Sequence, residues 1–101
     1  MAKAPAMTEA QLQKAVTDLC KLYGLRWHHQ RISQLSKPGW PDLTIAGRSL
    51  LFRELKRETG HPTEAQLDWL HTLRKAGADA DVWRPSDLAS GRVQRELEAI
   101  R

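Results

Sequence analysis

The sequence predicts an α/β domain in which helices flank a mixed β-sheet, in the order α-β-β-β-α-β-α. Two tetrapeptides with the same letters, at residues 8–11 and 63–66, have the pattern of a helix capping box and precede apolar residues at helical spacing. Between them, two short apolar runs flank a Gly-Arg-Ser turn, which indicates a β-hairpin. Helices that alternate with strands around a central hairpin favour a mixed sheet covered by helices.

Size, charge and cysteine content narrow the class of protein. The 101 residues suit one compact domain, which we place at residues 8–101 after a flexible N-terminal tail at residues 1–7. Lys and Arg outnumber Asp and Glu by 16 to 12, and this net charge of +4 favours a polyanionic partner such as nucleic acid. Cys20 is the only cysteine, so an intrachain disulfide is excluded. No apolar run is long enough to cross a membrane, and we expect a cytoplasmic or nucleoid-associated protein, in the host cytoplasm if a phage encodes it.

The first helix is predicted to start after Thr8 and to end at Gly24. Glu9 precedes Leu12 by three residues and Val16 by seven, so it falls within the apolar arc of that helix. Helix-dipole stabilisation explains an acid in the first turn. It does not explain an acid on the apolar side, and we therefore expect Glu9 to point inward.

A first strand is predicted over residues 25–29, followed by a basic loop over residues 30–40. His28 and His29 are adjacent, so on a strand they point to opposite faces and cannot easily bind one metal ion together. We interpret them as surface or substrate-contacting groups.

After the hairpin and a polar connection, the second helix is predicted to follow Thr63 and to end at Gly77. A short fourth strand follows at residues 79–83. A last helical segment is predicted from about Ser86 onward, with Gly91 as a weak point.

The hairpin carries the residues of chemical interest, Asp42, Glu54 and Lys56. Side chains of directly opposed residues on antiparallel strands point the same way. A three-residue loop at 47–49 places Asp42 opposite Glu54, whereas a two-residue loop would place Asp42 opposite Arg53 and send Glu54 to the other face. We predict the three-residue loop.

In that register the Asp42 and Glu54 carboxylates and the backbone carbonyl of Leu55 converge, a set of hard oxygen ligands suited to Mg²⁺ or Mn²⁺. Lys56, on the same face, would orient a water or offset charge on a phosphate. The alternative is an exposed Glu54–Lys56 salt bridge on an edge strand.

A known family matches these motifs. Pro41-Asp42 followed by Glu54-Leu55-Lys56 resembles the PD-(D/E)xK nuclease superfamily. Over roughly residues 7–90 the chain is closer still to the VRR-NUC (virus-type replication and repair nuclease) branch of that superfamily, through the segment Gly39-Trp40-Pro41-Asp42-Leu43 and then Gly60, Thr63, Gln66 and Trp69.

The resemblance implies a restriction-endonuclease-like core. It implies that Asp42 and Glu54 bind the metal and that Lys56 is the catalytic lysine. Gln66 would sit beside the site, although it is equally well explained as the third residue of its capping box. Glu9 would match an acid on the first helix of such nucleases and is a further candidate metal ligand.

The resemblance also implies a metal-dependent DNA endonuclease of the stand-alone phage or bacterial type. Such an enzyme would be structure-selective like a Holliday-junction resolvase and homodimeric. It would act in repair, recombination or phage replication. The alternative is a non-catalytic module that binds nucleic acid or docks to a partner. The expected phosphate contacts are Arg31, Lys37, Arg48 and Arg57, with Arg53 nearby. Candidates for DNA or interface contact, unless they are core, are Trp27, Trp40 and Trp83.

Overall fold

A computed structural model describes residues 6–31 and 38–101 of the chain. Its elements are α1 (Glu9–Leu22), β1 (Arg26–His29), β2 (Leu43–Ala46), β3 (Leu50–Leu55), α2 (Glu64–Lys75), β4 (Asp79–Trp83), α3 (Pro85–Ala89) and α4 (Arg92–Ala99). The predicted α/β class and the order of the first six elements are confirmed. Residues 1–5 of the predicted tail and Lys37 lie outside the described residues.

Both long helices begin at the capping boxes that the sequence predicts. In α1 the Gln11 N–H donates to Thr8 Oγ1 at 3.1 Å, and Gln11 Oε1 accepts the Thr8 N–H at 2.9 Å. Thr63 and Gln66 make the same reciprocal pair at the start of α2, at 3.2 and 2.8 Å. Each box satisfies two backbone donors that a helix start leaves unpaired. These starts are local, which is why the sequence alone locates them.

The four strands form one mixed sheet in the order β1-β2-β3-β4. The β1–β2 and β2–β3 pairs are antiparallel, and β3–β4 is parallel because α2 connects those two strands. Helices α1 and α4 pack on one face and enclose the main core. That core contains Leu12, Val16, Cys20, Leu25, Leu43, Ile45, Leu51, Leu55, Trp83, Val93, Leu97 and Ile100. Trp83 is thus a core residue.

The opposite face of the sheet is covered only in part. Leu70 of α2 and Ala80 of β4 are buried there. Trp40 packs edge-on against Phe52 of β3, with ring centroids 5.8 Å apart, and against Trp69 of α2 at 4.9 Å. Helix α2 therefore shields the β3–β4 side of this face.

The predicted single last helix is wrong, because the segment forms two helices, α3 and α4. Gly91 separates them with φ of +85°, a left-handed conformation that ends one helix and redirects the chain. The turn allows Val93 and Leu97 to enter the core. Across residues 6–31 and 38–101, none of the helices is sufficiently long and apolar to span a membrane.

Candidate active site

The hairpin has the register on which the site depends. Leu43 is opposite Arg53, Thr44 opposite Phe52 and Ala46 opposite Leu50, which leaves residues 47–49 as a three-residue loop. The prediction is confirmed. Asp42 directly precedes Leu43 and Glu54 directly follows Arg53, so the two acids come together on one face.

The two carboxyl groups differ in how they are held. Asp42 Oδ2 accepts the Leu55 N–H at 2.7 Å, which orients the carboxylate across the end of the hairpin. Glu54 is only 1% exposed and lies beside Asp42. Its Oε1 atom is buried without a hydrogen-bond partner. A buried polar oxygen without a partner is costly for a fold, and a bound ion or water can supply the missing contact.

Burial raises the pKa of Glu54 from 4.5 to about 8, reinforced by the Asp42 charge and by the hydrogen bond between the two carboxyl groups. The nearby Lys56 ammonium opposes this shift without cancelling it. A buried acid whose pKa is raised by desolvation and by a neighbouring carboxylate is typical of catalytic sites.

Lys56 completes the cluster. Its Nζ lies 3.5 Å from Glu54 Oε2, and the residue is 9% exposed. Its backbone N–H donates to the Trp83 carbonyl at 3.1 Å, which extends the pairing of β3 with β4. The alternative of an exposed salt bridge on an edge strand is therefore wrong, since β3 is central and both side chains are buried.

The residues present fit a divalent cation. Mg²⁺ is usually held by one or two carboxylates and completes its shell with waters and substrate phosphates. Asp42 and Glu54 supply the two carboxylates, and the unpartnered Glu54 Oε1 supplies an oxygen without a competing contact. The part of the chain that the structure describes has no group of three or more His, Cys, Asp or Glu side chains that could hold a metal ion. The Leu55 carbonyl as a third ligand stays a prediction.

Glu9 is not the inward-pointing acid that its position on the apolar arc suggested. It is exposed, while Leu12, Val16 and Cys20 form the buried stripe of α1. The first turn projects beyond the layer against which this stripe packs, so an acid there shares the side of the stripe and still reaches solvent. The prediction of an inward orientation is wrong, and Glu9 forms no three-acid group with Asp42 and Glu54.

Gln66 is half-buried and its Oε1 is engaged by the Thr63 N–H. Its capping role is confirmed. A contact with the substrate stays a prediction, and the amide nitrogen is the group that could donate to a phosphate oxygen.

Some of the basic residues are exposed to solvent, and others are bound to groups of the protein itself. Arg53 is 1% exposed, pairs with Asp79 at 2.8 Å and Glu96 at 2.9 Å, and lies over the Trp83 ring. Its prediction as a phosphate contact is wrong, because odd positions of β3 face the core. Arg48 is at the hairpin tip, where its guanidinium donates to the carbonyl of Ala99 at 3.2 Å.

Arg31 and Arg57 are exposed. A phosphate contact by either of them, or by Arg48, stays a prediction.

One residue near the site gives no signal in the sequence. Arg84 Nη1 donates to the carbonyls of Arg57, Glu58 and Gly60 at 2.8, 3.2 and 2.6 Å. It thereby fixes the loop that begins directly after Lys56. Only the parallel pairing of β4 with β3 brings Arg84 to this loop, so residue spacing does not reveal it.

Comparison with known proteins bears on the fold. No protein-family model matches the chain, and no curated protein matches it. A solved structure named "VRR_NUC domain protein" is similar with a TM-score of 0.71 and 25% identity, over 93% of this chain and 91% of that one. The chain has the VRR-NUC fold. A second structure, named "VRR_NUC domain", has a TM-score of 0.69 and 24% identity, over 91% of this chain and 97% of that one, and its likeness concerns the fold. The VRR-NUC resemblance of the sequence is thus confirmed, and the chain is a nuclease-fold domain.

Proposed function

We propose that this VRR-NUC domain is a Mg²⁺- or Mn²⁺-dependent DNA endonuclease. The observation that supports this most is the convergence of Asp42, Glu54 and Lys56 at one buried point of a nuclease fold. We further propose that it is selective for branched DNA, in the manner of a Holliday-junction resolvase, and acts in repair, recombination or phage replication.

Each residue has a role in phosphodiester hydrolysis. Asp42 and Glu54 would hold the cation, with Asp42 kept in place by the Leu55 N–H. When bound, the ion would polarise the phosphate and lower the pKa of a water. The Lys56 ammonium, almost buried beside Glu54, would orient the attacking water and offset charge that develops on the phosphate oxygens. Arg84 would keep the following loop, and with it the end of β3, in a constant position.

The test uses purified protein on supercoiled plasmid and on a synthetic four-way junction, with and without Mg²⁺ or Mn²⁺. We expect Asp42→Asn, Glu54→Gln and Lys56→Met each to lower the cleavage rate by at least about 100-fold, the usual cost of losing an electrostatic contact to the transition state. The matched controls are Lys14→Met and Asp18→Asn, an exposed pair on α1, 2.9 Å apart. These controls should cleave like the wild type.

Two results would reject the enzyme. One is no cleavage of any DNA by the wild type, and the other is equal cleavage by Asp42→Asn. Binding without cleavage would instead support a non-catalytic nucleic-acid module.

The homodimer belongs to the same proposal. A four-way junction has two equivalent strands to cut, and a two-fold dimer presents two sites to them. Sedimentation equilibrium on the free protein and on the junction complex tests this. A single protomer on each junction would contradict it.

A further inference from the structure

One half of the sheet face that carries the acids is open to solvent. Arg26 of β1 is opposite Ala46 of β2, and His28 is opposite Thr44. Arg26, His28 and Ala46 are exposed, and Thr44 is half-buried. The burial increases across the sheet toward Ala80, where α2 covers it. The open half is defined here as Arg26, His28, Thr44 and Ala46, and it contains two basic side chains and no acid.

The side chains on the other face of β1 pack against the core, so only one face of this strand is exposed. Trp27 is opposite Ile45 and packs against the main core. His29 is opposite Leu43, also a core residue, and is half-buried. The alternation of a strand thus divides four consecutive residues into a packed side and a basic side.

The open half is continuous with the candidate active site. The Gln30 N–H donates to the Asp42 carbonyl at 2.8 Å, so the pairing of β1 with β2 extends up to the acid. Strands lie about 4.8 Å apart and rise about 3.3 Å per residue. His28 is therefore about 8 Å and Arg26 about 14 Å from Asp42, measured between Cα atoms in a flat sheet of this register.

We propose that a strand of the nucleic-acid substrate lies along β1, and that Arg26 and His28 contact its phosphates on the way to Asp42 and Glu54. This rests on the proposed nuclease function and adds the path of the substrate. Since His28 lies nearer to Asp42 than Arg26 does, His28 would meet a phosphate closer to the cut, and Arg26 a phosphate farther along the same strand.

The two arginines of the hairpin itself are directed away from the open half. Arg53 is buried on the opposite face, and the Arg48 guanidinium is bound to the carbonyl of Ala99 at the end of α4, which packs on that opposite face. Phosphate recognition on the open half therefore depends on β1.

Matched variants on the two sides of β1 test the path. DNA affinity is measured by fluorescence anisotropy in EDTA, over a range of salt concentrations. Arg26→Gln should weaken binding about 5- to 8-fold at 0.1 M salt and reduce the slope of log K against log salt by about 0.7–0.9, the effect of one phosphate contact. Its control is Arg95→Gln, an exposed arginine of α4. His28→Asn should weaken binding, and His29→Asn, on the packed side, should not.

Modified DNA tests the spacing with the wild-type protein. A neutral methylphosphonate is placed at one phosphate at a time, and one position should weaken wild-type binding and leave Arg26→Gln binding unchanged. Another position, closer to the cut, should weaken wild-type binding and leave His28→Asn binding unchanged.

Equal affinities within each matched pair, with cleavage intact, would overturn the path while the nuclease stands. A wild type that binds no nucleic acid would overturn both.

Discussion

The titration of Glu54 offers a sharp test of the site. The paired acids of most proteins make the fold more stable as the pH rises, whereas Glu54 should make it less stable. The folded protein holds the Glu54 proton up to a pKa of about 8, whereas the unfolded chain releases it near 4.5. The folded state therefore binds more protons between these values, and the free energy of unfolding decreases as the pH rises through this window. A difference of about 3.5 pH units corresponds to a loss of at most roughly 5 kcal/mol. Below pH 4.5 and above pH 8 the contribution is constant.

Glu54→Gln removes this titration and keeps the shape of the side chain. Urea unfolding of the metal-free protein from pH 4.5 to 9 would measure the effect in wild type, Glu54→Gln and the exposed control Glu9→Gln. We expect the wild type to lose several kcal/mol relative to Glu54→Gln across the window, and Glu9→Gln to follow the wild type. Wild-type and Glu54→Gln curves that run parallel from pH 5 to 8 would refute the raised pKa of Glu54.

Three further predictions follow from the same structure. Because a cation must displace the Glu54 proton, the apparent Mg²⁺ affinity should rise about tenfold per pH unit below pH 8 and level off above it. Calorimetry in two buffers should show the release of this proton. A pH-independent affinity would contradict the prediction. Arg53→Met should lower the free energy of unfolding by about 3 kcal/mol in urea, because it removes the buried cation that pairs with Glu96. A loss below about 1 kcal/mol would show that Trp83 and Arg92, which also donate to Glu96, compensate. Gly47→Ala should destabilise the fold by about 1–3 kcal/mol, since a Cβ there would overlap the Ile100 carbonyl. The control is Gly60→Ala, where a Cβ would lie 3.6 Å from its nearest atom, and it should change the melting temperature little.

The parts of the fold that follow from short stretches of chain agree with the sequence. Both capping boxes are formed by residues three apart, and β4 spans the predicted residues 79–83. The hairpin register also follows from local information, because a three-residue turn and the demand that Asp42 and Glu54 share a face select the same pairing.

The errors concern residues whose surroundings come from distant parts of the chain. Arg53 was expected at the surface because it is charged, but Asp79 and Glu96 approach it across the sheet and make its burial tolerable. Glu9 was expected inside because of its helical phase, but phase does not tell how far the packed layer extends. The sequence predicts one last helical segment with Gly91 as a weak point, but Gly91 adopts a left-handed conformation that breaks the segment and lets α4 turn into the core.

The hairpin residues Asp42, Glu54 and Lys56, their register and the nuclease resemblance can all be read from the amino-acid order, because a strand alternates its faces and a turn sets its pairing. The tertiary structure decides what this chemistry can do. Packing on both sides of β3 buries Glu54, raises its pKa and brings Lys56 beside it. The limited reach of α2 leaves Arg26 and His28 in solvent on the same face. Burial and exposure depend on which elements cover a surface, and that coverage is a property of the assembled layers.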